Sequence, residues 1–328
     1  MKKKPAKQAP SIAQLTAGEE ALRRVQKAIE GKEFASLDDL NAYLSTISGS
    51  LMKKMPEDAE LSAKDKAQEL AYDAMAAESE AEARKLVKRA LQLDPDCVDA
   101  LVLLTSLDAR SAKDAIAGLQ KAIDAGERSL GARFIKENKG HFWGILHTRP
   151  YMRALAETAS LLRGEGLRSE AIAIYEKMLD LNPNDNQGVR DALLGLYLAV
   201  GDLAAVGKLL KKYKEDSMAN FAWGRVLERY LSGDLPGAAA ALKKARAANG
   251  FVELYLSARK PIPKVMPEMY SPGSEEEAIL CMEILAAAWV EHKDALFWLL
   301  EQCRAQGANV IPIPSPEKKV SRPRKKPQ

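Results

Sequence analysis

The apolar positions of this chain recur at helical spacing, and a small-residue version of the pattern returns along its length. Ala83, Val87 and Ala90 are followed by Pro95, and Ala171, Tyr175 and Met178 by Pro183; Ala238, Leu242 and Ala245 repeat the stripe more weakly. Steps of four and three place each trio on one helix face. A proline five positions further on falls just past the helix end, where its missing N–H and its ring disturb no helical hydrogen bond. Each stripe therefore reads as the second helix of an antiparallel pair about 34 residues long. Such pairs cannot bury their apolar faces alone and must stack on one another.

Upstream of the stripes, the pattern predicts a helix from about Gln14 to Glu30, with Leu15, Leu22, Val25 and Ile29 as its apolar face and Gly31 as its end. A second helix follows, with Ser36 as N-cap, Asp39 in the first turn and Leu37, Leu40, Tyr43, Leu44 and Ile47 buried. Five helical pairs are expected after it. The first starts near Lys64 with Leu70 and Ala71 packed inside, and the second starts near Asp96 with Ala115, Leu119 and Ala122. In the third, Thr148 is a candidate cap and Pro150 sits in the first turn, ahead of Leu155, Ala159 and Leu162. The fourth covers about 184–216 with its turn at Gly201-Asp202, and the fifth about 219–252 with its turn at Gly233-Asp234.

Pro95 and Pro183 are 88 positions apart, whereas two regular pairs need about 68. The surplus of about 20 residues falls in an insertion at about 127–149. Beyond the fifth pair, KPIPKVMPEMYSPG is an irregular connection, and helices at about 274–290 and 293–305 close the array around Trp289, Phe297 and Trp298. The expected organisation is a basic disordered tail (1–13), a helical pair (14–62), the repeats (63–252), a proline-rich connection with a helical cap (253–310) and a second basic tail (311–328).

The stretch 64–250 resembles tetratricopeptide-repeat proteins, with two good copies and three degenerate ones. The resemblance implies an all-α, right-handed repeat superhelix, an α-solenoid whose concave face is lined mainly by the first helix of each pair. One subtype grips a peptide C-terminus with Lys and Asn at consensus positions five and nine. Here those positions hold Gln68 and Tyr72 in the first pair and Ala156 and Ser160 in the third, so that clamp is absent. The fifth pair instead directs Asn220, Trp223 and Tyr230 toward the expected groove. A narrower likeness lies in GHFWGILHTRPYMRALAE and LNPNDNQGVRDALL, within about 131–200, which look like the bacterial relatives of the suppressor-of-tumorigenicity-seven family. Animal members of that family carry membrane-spanning segments; the apolar runs here are all too short to span a bilayer, so a membrane role does not transfer. The likeness implies a scaffold or adaptor and brings no catalytic residues with it.

Charge refines this picture. The net charge is +4, yet residues 1–10 carry +4 and residues 311–328 carry +5, which leaves the body between them at −5. The basic ends suit a polyanion, and nucleic acid is the alternative partner they suggest. Three well-separated cysteines, Cys97, Cys281 and Cys303, with no CxxC, point to reduced thiols in a cytoplasmic protein and away from a disulfide framework or a zinc site. The basic N-terminus lacks the apolar stretch of a signal peptide.

Candidate chemistry is sparse. Gly126 to Gly131 starts like a phosphate-binding loop, but Ala132-Arg133 replaces the Lys-Ser/Thr that would hold phosphate and magnesium. His141 and His147 belong to no HExxH pattern, and GxSxG is missing. No cofactor, metal or catalytic group is expected. The dense cluster of unusual residues is in the insertion, where Phe142, Trp143, Arg149 and Tyr151 offer the aromatic and cationic anchors typical of protein interfaces. A second reading makes them the pins that hold the insertion to the repeats. The expected function is a non-catalytic scaffold that binds a peptide or protein partner. The alternatives are a nucleic-acid- or ribosome-associated factor and the regulatory subunit of an enzyme.

Overall fold

The computed structural model describes residues 12–51 and 61–305. Every regular element among the described residues is helical. In chain order the α-helices are α1 (Ile12–Ile29), α2 (Leu37–Leu51), α3 (Ala63–Met75), α4 (Glu80–Leu93), α5 (Val98–Asp108), α6 (Ala112–Leu130), α7 (Ala132–Glu137), α8 (Arg149–Gly164), α9 (Arg168–Leu181), α10 (Val189–Val200), α11 (Leu203–Lys212), α12 (Ala219–Leu231), α13 (Leu235–Ala248), α14 (Phe251–Leu256), α15 (Glu275–Glu291) and α16 (Lys293–Ala305). They sort into two compact units that divide within α11, after Leu209. That division cuts through the fourth expected pair.

In the first unit, neighbouring helices pack as pairs: α3 with α4, α5 with α6, and α8 with α9. The small-residue stripes are what make this packing close. Val87 and Ala90 are fully buried beside Ala67, Ala71, Ala74 and Ala100, with Leu70, Leu86 and Leu103 closing around them. Side chains this short let two helix axes approach and lose little rotamer freedom on burial. Serine caps set the starts: Ser62 forms a reciprocal capping box with Asp65, and Ser79 and Ser111 accept from the backbone of Glu82 and Asp114. Pro95 and Pro183 fall just after α4 and α9.

The insertion leaves the stacking order intact, because α5 and α6 both pack directly on α8. Its first residues are the final turn of α6, so Gly126 lies in a helix and not in a loop. That glycine serves a close approach: a Cβ there would stand 2.6 Å from the Tyr151 ring. The surplus residues form α7 and two short 3-10 turns, Phe142–Gly144 and Leu146–Thr148. Thr148 is not the side-chain cap expected of it. It is fully buried, and its hydroxyl donates to the carbonyls of Phe142 and Ile145, tying the two turns together.

Two further expectations about the N-terminal pair change. Ser36 does accept from the Asp39 amide at 3.1 Å, but Leu37 is 77% exposed. In α1, Leu22 of the anticipated apolar face is half exposed, while Glu19 is buried. Leu15 and Ile47 lie where side chains fall outside the described residues.

The second unit is held by an acid. Glu277, near the start of α15, is 5% exposed. Its carboxylate accepts from the Ala219 amide at 3.0 Å, from Asn249 Nδ2 at 2.9 Å and from the Gly273 amide at 2.6 Å. One side chain thereby joins the start of α12, the end of α13 and the turn before α15. Around it, α12 packs on α13, α15 and α16, and Trp289 is fully buried as the sequence suggests, with Trp298 half-buried against Tyr230.

Glu277→Ala strands three donors at once and should lower the unfolding free energy by about 3 kcal/mol in urea titrations followed by far-UV circular dichroism. Val290→Ala, at a 59% exposed position of the same helix, should stay within about 0.5 kcal/mol of the parent protein.

Candidate functional site

The first helices of three pairs lie side by side in the first unit, α5 being in contact with both α3 and α8. Their adjacency brings Gln68 and Tyr72 of α3, Asp99 of α5 and Arg153 of α8 toward a common point. Arg153, one turn into α8, bridges two carboxylates. Its Nη1 and Nη2 donate to Glu19 at 2.8 and 3.1 Å, and its Nη2 and Nε donate to Asp99 on α5 at 2.6 and 3.1 Å. The planar guanidinium suits two such forked contacts, which an ammonium could not make. Tyr72 of α3 donates its hydroxyl to Glu19 at 2.7 Å, and Gln68 of α3 donates to Asp99 at 2.6 Å. Arg149 adds a second cation 3.7 Å from Glu19.

Glu19 and Asp99 are 4% and 1% exposed at their side chains, and Arg153 is 23% exposed. Burial works against the Arg153 charge, but Asp99 and Glu19 more than offset it and hold the guanidinium protonated more firmly than a free arginine. Burial and the adjacent Glu19 carboxylate both push the Tyr72 phenol up, so it remains a donor.

Glu19 comes from α1, which lies across this row through its charged face. Arg23 and Lys27 of the same face reach Asp65 of α3 at 3.2 and 3.1 Å, and Arg23 also sits over the Tyr72 ring. Residues 19, 23 and 27 are four apart and share one side of the helix. Ion pairs therefore join α1 to the row, beside an apolar stripe that is only partly covered. Beside it opens a cleft of about 380 Å³, lined in part by Arg23, Lys27, Lys64, Asp65, Asp96 and His147. Burial, then the nearby Arg23 and Lys64 cations, hold the His147 imidazole below its ordinary value. Among the described residues, no three His, Cys, Asp or Glu side chains are placed to hold a metal ion. No described helix is long and apolar enough to cross a membrane.

The residues singled out from sequence divide sharply. Phe142 is fully buried and Tyr151 is 1% exposed. With Phe134 they form a ring cluster that pins the insertion to α8, at centroid separations of 6.3 Å for each neighbouring pair. The Tyr151 hydroxyl donates to Glu127, which also pairs with Lys177. Trp143 remains half-buried, with the Arg149 guanidinium 5.1 Å above its ring and Arg149 Nε donating to its carbonyl at 3.0 Å. Thus Phe142 and Tyr151 are core residues, and of the four candidates Trp143 and Arg149 keep reachable surface.

The expectation for α12 is corrected. Trp223 is fully buried and donates its indole N–H to the Asn249 carbonyl at 3.0 Å, so it lines no groove. The physical reason is the apolar volume needed where α12 meets α13. Tyr230 is half-buried against the Trp298 ring at 5.4 Å, and Asn220 is half-buried at the start of α12. The segment LNPNDNQGVRDALL also turns out to be architectural. Asp185 adopts φ 50° and accepts from the amides of Val189 and Arg190, capping α10.

Sequence reasoning missed Glu19, Asp99 and Arg153. The available signal was the pair Gln68 and Tyr72, which the family resemblance places at groove positions; what they bind comes from α5 and from α1. The three cysteines are buried thiols outside any disulfide, and burial pushes the Cys97 thiol up to about 12, far from a reactive thiolate.

No protein-family model matches the chain, and a search of curated proteins finds no relative.

Two measurements test this construction. Arg153→Met leaves the buried Asp99 without its cation and Glu19 with only Arg149, at 3.7 Å, and should cost about 3–5 kcal/mol in urea unfolding, whereas Arg149→Ala, whose contact with Glu19 is longer than a hydrogen bond, should cost less than Arg153→Met. The second is a pH dependence. Burial works to raise the Asp65 pKa, but its hydrogen bonds from Ser62 and Lys27 hold it below the ordinary 3.8. Glu30 foremost, with Asp65, raises Lys27 above 10.5. The Asp65 contribution is complete above the unfolded value and is lost as pH falls through the lower folded one; that of Lys27 is complete below its unfolded value and is lost as pH rises through the higher folded one. The stability difference between the parent protein and Asp65→Asn should therefore be flat from about pH 5 to 9 and shrink below about pH 3.8.

Proposed function

We propose that the chain is a non-catalytic scaffold of the tetratricopeptide-repeat type, which captures a peptide or protein partner on the surface formed by the first helices of its repeats. In this reading the stacked pairs continue as a right-handed superhelix, and α3, α5 and α8 line its concave side. The observation that carries the proposal is the row itself. Three first helices lie adjacent and converge polar side chains, Gln68, Tyr72, Asp99 and Arg153, on one place. Fixed polar groups on a rigid helical row orient a bound segment, and an extended repeat surface supplies its contact area. Trp143 and Arg149 border the same face and serve as secondary anchors. The basic ends, residues 1–11 and 306–328, lie outside the described residues and act in this reading as accessory attraction for an acidic partner.

The test is site-specific photo-crosslinking in the native cell. A crosslinking residue at Ser160, exposed on α8, should trap a defined partner, and one at Lys88, exposed on the second helix α4, should not. Trp143→Ala combined with Arg149→Ala should reduce the Ser160 product severalfold while leaving the melting temperature nearly unchanged. Crosslinks from Lys88 alone, or capture that needs only the basic ends and collapses with added salt as phosphate contacts do, would replace this reading with the nucleic-acid one.

A further inference from the structure

We infer that α1 is a built-in ligand of this face, and that the partner presents a helical segment with an acidic residue followed by basic residues four and eight positions later. The inference rests on the reading of the α3–α5–α8 row as a binding surface and names what that surface recognises. Three observations carry it.

The first is charge complementarity. On the α8 side, Arg153 pairs with Asp99 of α5 and with Glu19 of α1, and Arg149 lies 3.7 Å from the same Glu19. Arg149, Arg153 and Asp99 sum to one positive charge, and Glu19 of α1 balances it, accepting from Arg153 through both carboxylate oxygens. On the other side, Asp65 of α3 takes Arg23 and Lys27, and Glu69 of α3 lies 3.9 Å from Arg24. α8 thus presents Arg153 and Arg149, and α3 presents Asp65 and Glu69, to Glu19, Arg23 and Lys27 in that order along one helix face.

The second is the character of the contact. The apolar stripe of α1 is only partly covered, Leu22 being half exposed and Val25 and Ile29 half-buried, while the side that carries Glu19 meets the neighbouring helices through ion pairs. Contacts built on ion pairs specify order and register more than they add net stability, because desolvation consumes much of the Coulomb attraction. Such a helix can be exchanged for another with the same charge order.

The third is coverage. Gln68 and Tyr72 occupy groove positions of the first pair and are buried, with Tyr72 bonded to α1, whereas Ser160, at the matching position of the third pair, is exposed. α1 therefore covers the row where Tyr72 and Arg153 meet it and leaves Ser160, two turns further along α8, open for a partner to gain a foothold. An incoming segment must displace α1, so its apparent affinity is reduced by the fraction of molecules in which α1 is docked.

The experiment uses the full chain and a fluorescein-labelled synthetic peptide of residues 12–30 as the probe, read by anisotropy. Glu19→Gln keeps the side-chain shape and removes the charge, so it should release the intramolecular helix with little effect on the repeats. The peptide should bind Glu19→Gln at least tenfold more tightly than the parent protein, and hydrogen exchange of α1 amides should accelerate in the variant while that of α8 does not. A peptide with Lys at its position 19 and Glu at positions 23 and 27 should not bind. Equal binding to parent and variant, or equal binding of the charge-swapped peptide, would overturn the inference and leave α1 a structural cap. If Glu19→Gln instead forms a dimer by sedimentation, the occupant is α1 of a second copy, and the partner assignment falls. Crosslinking from Ser160 is independent of these outcomes, so the scaffold reading can survive when this inference fails.

Discussion

The first unit depends on one guanidinium. Arg153 is the point at which α1, α5 and α8 meet, and through Tyr72 and Gln68 the same carboxylates reach α3. Apolar stripes set how close neighbouring helices come, but they specify register weakly, because alanines and leucines slide over one another at small cost. A buried arginine that must satisfy two acids does not slide. Its fork fixes the height of α8 relative to α5 to within hydrogen-bond tolerance and aligns the start of the repeats with the N-terminal pair.

The same division of labour recurs in the second unit with the charge reversed. There an acid, Glu277, accepts from three elements, and Glu253 gathers Arg246, Arg259 and the Cys303 thiol nearby. In both units the apolar contacts supply most of the driving force for folding. A small number of buried charges then select one arrangement among several that would bury similar area. Removing a partner from such a charge is costly because the remaining charge is left in a poorly polarisable surrounding.

What could be read from the sequence follows from this. Helix positions, the pairing of neighbours and the buried stripes were legible, because periodicity is a local property and Ala83, Ala171 and Ala238 repeat it openly. The insertion was legible as a surplus in spacing, and the packing of Phe142 and Tyr151 against Phe134 gives it a structural purpose. The charged focus was not legible. Glu19, Asp99 and Arg153 are separated by 80 and 54 positions, each stands among many other charged residues, and only the stacking of α3, α5 and α8 brings them together. Trp223 misled for the complementary reason: a large aromatic residue looks the same in a one-dimensional pattern whether it lines a groove or fills a core.

Charge order along α1 has a further consequence for how this surface can discriminate. A purely apolar groove accepts many amphipathic helices, since methylene contacts differ by only about 1 kcal/mol between alternatives. Here a helix entering in the reverse direction would set basic residues against Arg149 and Arg153 and an acid against Asp65, and each mismatch would leave buried charge unpaired. On the proposed reading the row would reject by repulsion as well as select by attraction, with α1 as the template of the accepted order. Arg24, which reaches toward Glu69 from the next position round the helix, extends that record beyond the 19–23–27 face.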